Sequence, residues 1–319
     1  MNRDEFQTKT SFHTASELAL LVAQSKQGTE AARNELCATL AWAAFAEPAA
    51  TQSVYDHIAN AWLDTNLQLD TVSAQAQDSQ LDDIFWTAFW SMIDDSEQGY
   101  DATSITLRAA GMGAYVDEGF GVKAETIARN HLGVETPEDK TIPGLIRLDL
   151  LQALPPESLG QDLYKMWTAN NFDPEVLDRE SIGLSALPPA LRYLNTRILQ
   201  MHDVWHLVAG YETTALHEVA ISSFQLAQFG HNYSAMFLAT SLTIAGKRSP
   251  EGFGLLMHVV SEAWQHGRSS PNFMNIEWED HWHKPIAALR AELEIRPFNS
   301  MFPANTIELA MAAQPNHVK

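Results

Sequence analysis

The chain has 319 residues, of which 45% are hydrophobic, and 20 Lys and Arg face 40 Asp and Glu for a formal charge of −20. That length and apolar share support a sizeable core, in one large domain or two smaller ones, and exclude wholesale disorder. No basic run is present, which excludes a duplex nucleic-acid surface, and the single cysteine, Cys37, excludes an internal disulfide or a thiolate metal cluster.

Helix signals dominate from the start. The opening Met1-Asn2-Arg3-Asp4-Glu5-Phe6 is polar and lacks a basic-then-apolar leader pattern. Thr14-Ala15-Ser16-Glu17 has the form of a capping box, and a helix is predicted to follow through Leu18, Leu20, Leu21 and Ala23. Further helices are predicted over residues 29–46, 51–64 and 80–95, with Gly, Pro, Asp and Ser positions as breaks. Residues 84–93 are apolar on most sides. They read first as a buried core helix, and second as a wall of a cavity for an apolar ligand. Residues 134–147 have the composition of a loop, 148–154 end at Pro155-Pro156, and a polar helix is expected over 157–170. Pro188-Pro189 opens a long helix that should stop at Gly210. Thr213 or Thr214 can cap the next, which runs to Gly230. Two more helices are expected around 251–267 and 278–293. The most apolar stretch, 235–245, is broken by Thr240, Ser241 and Thr243 and falls short of the ~20 residues that span a bilayer. The expected fold is all-α, a multi-helix bundle forming one domain over 12–300. The chain divides into an enlarged N-terminal helical part (1–135) and a core that carries the metal motif (136–300), followed by a tail (301–319), with a separate N-terminal lobe before about residue 135 as the alternative.

Within the core, His202, Asp203, His206 and Glu218 gather two imidazoles and two carboxylates in seventeen residues. At ~100° and ~1.5 Å per residue, His206 lies ~40° around the helix from His202 and ~6 Å along it, with Asp203 ~100° away. A helical hairpin turning at Gly210 brings Glu218 alongside, and such carboxylate–histidine sets on facing helices hold divalent metals. The competing reading is a polar cluster in which carboxylates hold protonated histidines. A zincin helix is excluded, because its general base is Glu and Asp203 is one methylene shorter. His–Asp phosphohydrolases share the dyad, but the further ligands they require are not clearly marked here. His258, Glu262 and His266, at i, i+4 and i+8, form a second stripe. It reads chiefly as a hydrogen-bonded face and secondarily as another metal site. His281 and His283 are read as surface or packing residues, and His217, turned ~100° from Glu218 on its helix, is not taken as a ligand.

His-Asp-x-x-His, eleven residues and Glu resembles the signature of the Coq four family of ubiquinone (coenzyme Q) biosynthesis. Leu154-Pro155-Pro156-Glu157-Ser158-Leu159-Gly160 is similar to that family's Leu-Pro-x-Gly-Thr-Leu-Gly run, with its first glycine replaced. Asn170-Asn171-Phe172-Asp173-Pro174, Phe224-Gln225-Leu226-Ala227-Gln228, and Trp282, Pro285, Leu289, Arg290 and Leu293 extend the likeness over about 150–297. The resemblance implies an all-helical protein with an apolar cavity for a polyprenyl tail. It implies that His202, Asp203, His206 and Glu218 are the metal ligands and the catalytic set, around one divalent ion: zinc first, with iron, cobalt or manganese as alternatives. It implies removal of the C1 carboxyl of a polyprenylated hydroxybenzoate with oxidative hydroxylation of that carbon. The expected partners are this quinone precursor, other quinone-biosynthesis enzymes, a membrane surface and a second copy in a homodimer. A bacterial, cytoplasmic protein peripheral to the inner face of the cell membrane is the expected setting. The alternative is a lipid-binding scaffold that presents prenylated intermediates to partner enzymes.

Overall fold

A computed structural model describes residues 1–67, 80–95, 102–141, 144–172 and 183–313. Among the described residues the chain is built of α-helices and short 3₁₀ turns, with no β-strand, as expected for an all-α fold. The helices are α1 (Arg3–Thr8), α2 (Ala15–Lys26), α3 (Glu30–Phe45), α4 (Thr51–Leu63) and α5 (Asp83–Asp94). Then come α6 (Ala102–Gly111), α7 (Phe120–Arg129), α8 (Leu148–Gln152), α9 (Leu159–Asn170) and α10 (Pro189–Ala209). The last five are α11 (Ala215–Phe229), α12 (Asn232–Arg248), α13 (Pro250–Ser269), α14 (Ile286–Glu292) and α15 (Thr306–Ala313). No helix among the described residues is long and apolar enough to cross a membrane. Two compact units interleave along the chain. One comprises Met1–Ala124, Thr214–Arg268 and Ser300–Lys319, the other Glu125–Thr213 and Ser269–Asn299.

In the first unit the capping box at Thr14 is complete, with Glu17 returning to the Thr14 N–H at 2.7 Å. One face of residues 84–93 is core, with Phe85, Trp86, Phe89, Trp90, Met92 and Ile93 buried, whereas Ile84, Thr87 and Ser91 are exposed. Phe85, Trp86, Phe89 and Trp90 of α5 pack with Phe6 and Phe45, with ring centroids 5.1–6.0 Å apart. The outer edges of Trp86 and Trp90 border an open groove whose other lining residues are mostly polar, among them Asp4, Asp83 and Asp94. Helix α3 packs chiefly on α12, which is buried on nearly every side. Between them, burial pushes the Cys37 thiol up to about 12, so this cysteine stays protonated and inert. Asp56, on α4, is 3% exposed and accepts from Trp264 Nε1 at 2.7 Å and Arg268 Nε at 3.1 Å.

The second unit carries α8, α9, α10 and α14. Pro189 occupies the first turn of α10, and the Glu125 carboxylate accepts from the Ala190 and Leu191 N–H groups at 3.1 and 2.9 Å. Those are donors that a helix start leaves without an internal partner. The helix expected over 278–293 is interrupted. Trp278–His281 is a 3₁₀ turn, and α14 begins only at Ile286, after Pro285. Proline disfavours helical backbone at the residue before it, so the run breaks at Lys284. The break is used: the freed Lys284 and Trp282 carbonyls accept from the Leu159 and Gly160 N–H groups, at 2.8 and 3.0 Å, and so anchor the start of α9. Just before that helix Glu157 takes a left-handed φ of 64°.

Candidate metal centre

His202, Asp203 and His206 share one face of α10 in its last two turns. One ligand atom from each lies within 4.8 Å of the others. The imidazoles meet through their Nε2 atoms at 3.2 Å, with ring planes at 87°. His206 is 1% exposed, whereas His202 and Asp203 are half-buried.

The protonation of His206 follows from its other nitrogen. Nδ1 lies 3.2 Å from the Tyr211 carbonyl, which can only accept, so Nδ1 carries a hydrogen, and in the neutral ring Nε2, 3.2 Å from His202 Nε2, is the nitrogen that could coordinate an ion. Two nitrogens each ~2.0–2.1 Å from a tetrahedral ion stand ~3.3 Å apart. The observed Nε2 separation matches that spacing. With both imidazoles neutral, the pair and an anionic carboxylate would form a donor set that fits a divalent cation of the zinc or iron class.

The backbone that aims His206 is set by Gly210. Its φ of 80° and ψ of 30° terminate α10 in the left-handed conformation and turn Tyr211 back under the helix, where both the Gly210 and Tyr211 N–H groups bond the His206 carbonyl at 3.0 and 2.9 Å. A Cβ at position 210 would meet Pro297 Cβ at 2.8 Å. Substituting Gly210→Ala should therefore destabilise the protein by about 1–3 kcal/mol, from left-handed strain plus the close contact. Thermal denaturation reads this directly; an unchanged melting temperature would refute it. The remaining end carbonyls are also capped. Arg290 donates to Val208 O at 2.9 Å and Leu207 O at 2.8 Å, and the Phe298 N–H reaches Ala209 O at 2.7 Å. Further back along α10, buried Arg197 holds Glu279 in a two-pronged ion pair.

Glu218 is half-buried in the first turn of α11, which Thr214 caps through the His217 N–H at 3.4 Å. It belongs to the first unit, whereas the two histidines and Asp203 belong to the second. The second sequence stripe is engaged otherwise. His258 contacts Glu262 at 3.1 Å, and that carboxylate also accepts from the Ser300 hydroxyl and from the Met301 N–H, holding the segment that leads to α15. His266 packs on Phe224, with ring centres 5.3 Å apart. Two participants escaped the sequence reading: the Tyr211 carbonyl, a backbone group with no sequence signature, and Trp167, whose indole N–H donates to Asp203 Oδ2. The spacing of Leu159, Leu163 and Trp167, four apart and all buried on α9, was the available hint to the second.

With the site in place, residues 141–299 match the family described as coenzyme Q (ubiquinone) biosynthesis protein Coq4, and that stretch contains the two histidines, Asp203 and Glu218. Through this stretch the chain belongs to the Coq4 family. The rat protein named ubiquinone biosynthesis protein COQ4 homolog, mitochondrial, is 30% identical over 167 residues, covering 52% of this chain and 61% of the rat protein. The human protein of the same name is 26% identical, covering 54% of this chain and 64% of its own length. The match thus spans about three fifths of these curated Coq4 relatives. A crystal structure of a Nostoc punctiforme protein provisionally assigned to ubiquinone biosynthesis superposes with a TM-score of 0.52 at 20% identity. It covers 66% of this chain and 97% of that one, a likeness of fold.

Proposed function

We propose that the Coq4-like part of this chain is a metal-dependent site of ubiquinone biosynthesis acting on a polyprenylated hydroxybenzoate ring. The observation that carries this reading is the pair of Nε2 atoms 3.2 Å apart beside a carboxylate, with His206 Nδ1 held at the Tyr211 carbonyl. The names of the relatives supply the pathway. Glu218 would be the fourth ligand, supplied from the start of α11.

A divalent ion held here would supply Lewis-acid stabilisation of the negative charge on a substrate carboxylate or phenolate and, if redox-active, access to dioxygen. The chain's own groups set the electrostatics. His202 and His206 contribute no net charge when neutral. Asp203 and Glu218 contribute one negative charge each, so with both carboxylates bound a divalent centre would carry no formal net charge, and an anionic substrate group would be held by direct coordination at an open position. In the proposed reaction the ring carbon loses its carboxyl as carbon dioxide and gains a hydroxyl. One atom of dioxygen enters the ring, and the other leaves as water with two electrons and two protons from an external donor. Zinc could serve only the charge stabilisation, so the oxidative step points to iron, cobalt or manganese. A polyprenyl-binding cavity, a membrane surface, a homodimer and contact with other enzymes of the pathway belong to the same proposal.

The test supplies metal-loaded protein with a prenylated 4-hydroxybenzoate, dioxygen and a two-electron reductant. Release of carbon dioxide in step with a hydroxylated ring is expected. Tight lipid binding without turnover for zinc, iron, cobalt and manganese alike would instead favour a scaffold that presents prenylated intermediates.

A further inference from the structure

The Trp167 indole points at Asp203. Trp167 is 3% exposed on α9, four residues beyond Leu163 and eight beyond Leu159 in a buried stripe, and α9 packs against both α8 and α10. Its Nε1–H donates to Asp203 Oδ2, and no ion pair to Asp203 exists among the described residues. A carboxylate has two oxygens and a loosely constrained terminal torsion. A bond at one oxygen fixes the plane of the group while the other oxygen and the remaining lone pairs stay open. The identity of the donor matters as well. Lys or Arg at this place would neutralise Asp203, whereas an indole orients it and leaves the full negative charge for a cation.

We infer that Trp167 is a positioning residue for the metal centre, acting through Asp203 to raise the affinity for a divalent ion. This rests on the metal-site reading above. Partners of this kind, which orient a ligand without touching the metal, typically set metal affinity by 10–100-fold. A bland alternative exists: a buried indole N–H needs some acceptor, and Asp203 could merely satisfy it.

A double-mutant cycle separates the two. Cobalt(II) alone is titrated into the full chain and followed by its visible absorption, with zinc(II) affinity obtained by competition. Trp167→Phe should weaken both ions about 10–100-fold in the natural background and by less than about twofold in an Asp203→Ala background, because its effect runs through that carboxylate. Benzothienylalanine at position 167 keeps the bicyclic shape and lacks the N–H. It should reproduce the loss while leaving the melting temperature unchanged, which guards against a packing defect from Phe. Equal losses in both backgrounds, or full affinity with the benzothienyl side chain, would overturn the inference. No binding by the unaltered chain would overturn the metal reading and this inference together, an outcome distinct from either.

Discussion

His206→Ala should leave the purified protein without stoichiometric metal, and His202→Ala should do nearly the same. Zinc sites built from four protein ligands bind with about 10–16 kcal/mol, or about 2.5–4 kcal/mol for each ligand. At 1.4 kcal/mol per decade, losing one imidazole weakens binding by about 10²–10³-fold. Elemental analysis after dialysis at neutral pH reads the outcome. Of the two, His206→Ala should be the more severe, because its ring is buried and pinned to the Tyr211 carbonyl before any ion arrives, whereas His202 is half-buried. Glu218→Ala in the same assay asks whether α11 supplies the fourth ligand. Metal content unchanged in both histidine variants would dismiss the site.

The second large effect lies far from the site in sequence, at Asp56. Its carboxylate is the acceptor for a fully buried indole N–H, from Trp264, and the counter-charge for Arg268. Asp56→Ala should destabilise the protein by roughly 2–4 kcal/mol. Trp264 loses its acceptor, and Arg268, a quarter exposed, loses its partner but keeps some water. Asp56→Asn should lose less, because the amide oxygen still accepts from Trp264. Burial, partly opposed by the bonds from Trp264 and Arg268, pushes the Asp56 carboxyl above its ordinary range. A group raised in the folded state favours folding most at acid pH and surrenders that contribution as pH climbs through its folded value. The advantage of the natural chain over Asp56→Asn should accordingly narrow from acid to neutral pH. Urea denaturation across that range measures both, and a constant difference would refute the assignment.

The sequence made some of this legible and hid the rest for physical reasons. The ends of α10 were readable because Pro189 and Gly210 act through their own backbones, as was the Thr14 box, whose bonds span three residues. The His202, Asp203 and His206 cluster was readable because helical pitch alone sets its geometry. Helix α12 went unread because it is buried on nearly every side, so the polar–apolar periodicity that reveals a helix is missing. The break at Lys284 went unread although Pro285 announced it, since the flanking apolar positions continue the helical spacing across it. Trp167 lies 36 residues from Asp203, and only the packing of α9 on α10 makes them partners.

The caps at the end of α10 have a consequence for how the chain is made. Arg290 stands 82 residues after the Val208 carbonyl that it caps. At a synthesis rate of roughly 5–20 residues per second, the ribosome delivers that arginine about 4–16 s after the helix itself. During that interval the nascent helix has its histidines but not the groups that fix its end. On the proposed metal-site reading, capture of an ion by a ribosome-bound chain should accordingly lag until the segment through Phe298 has emerged.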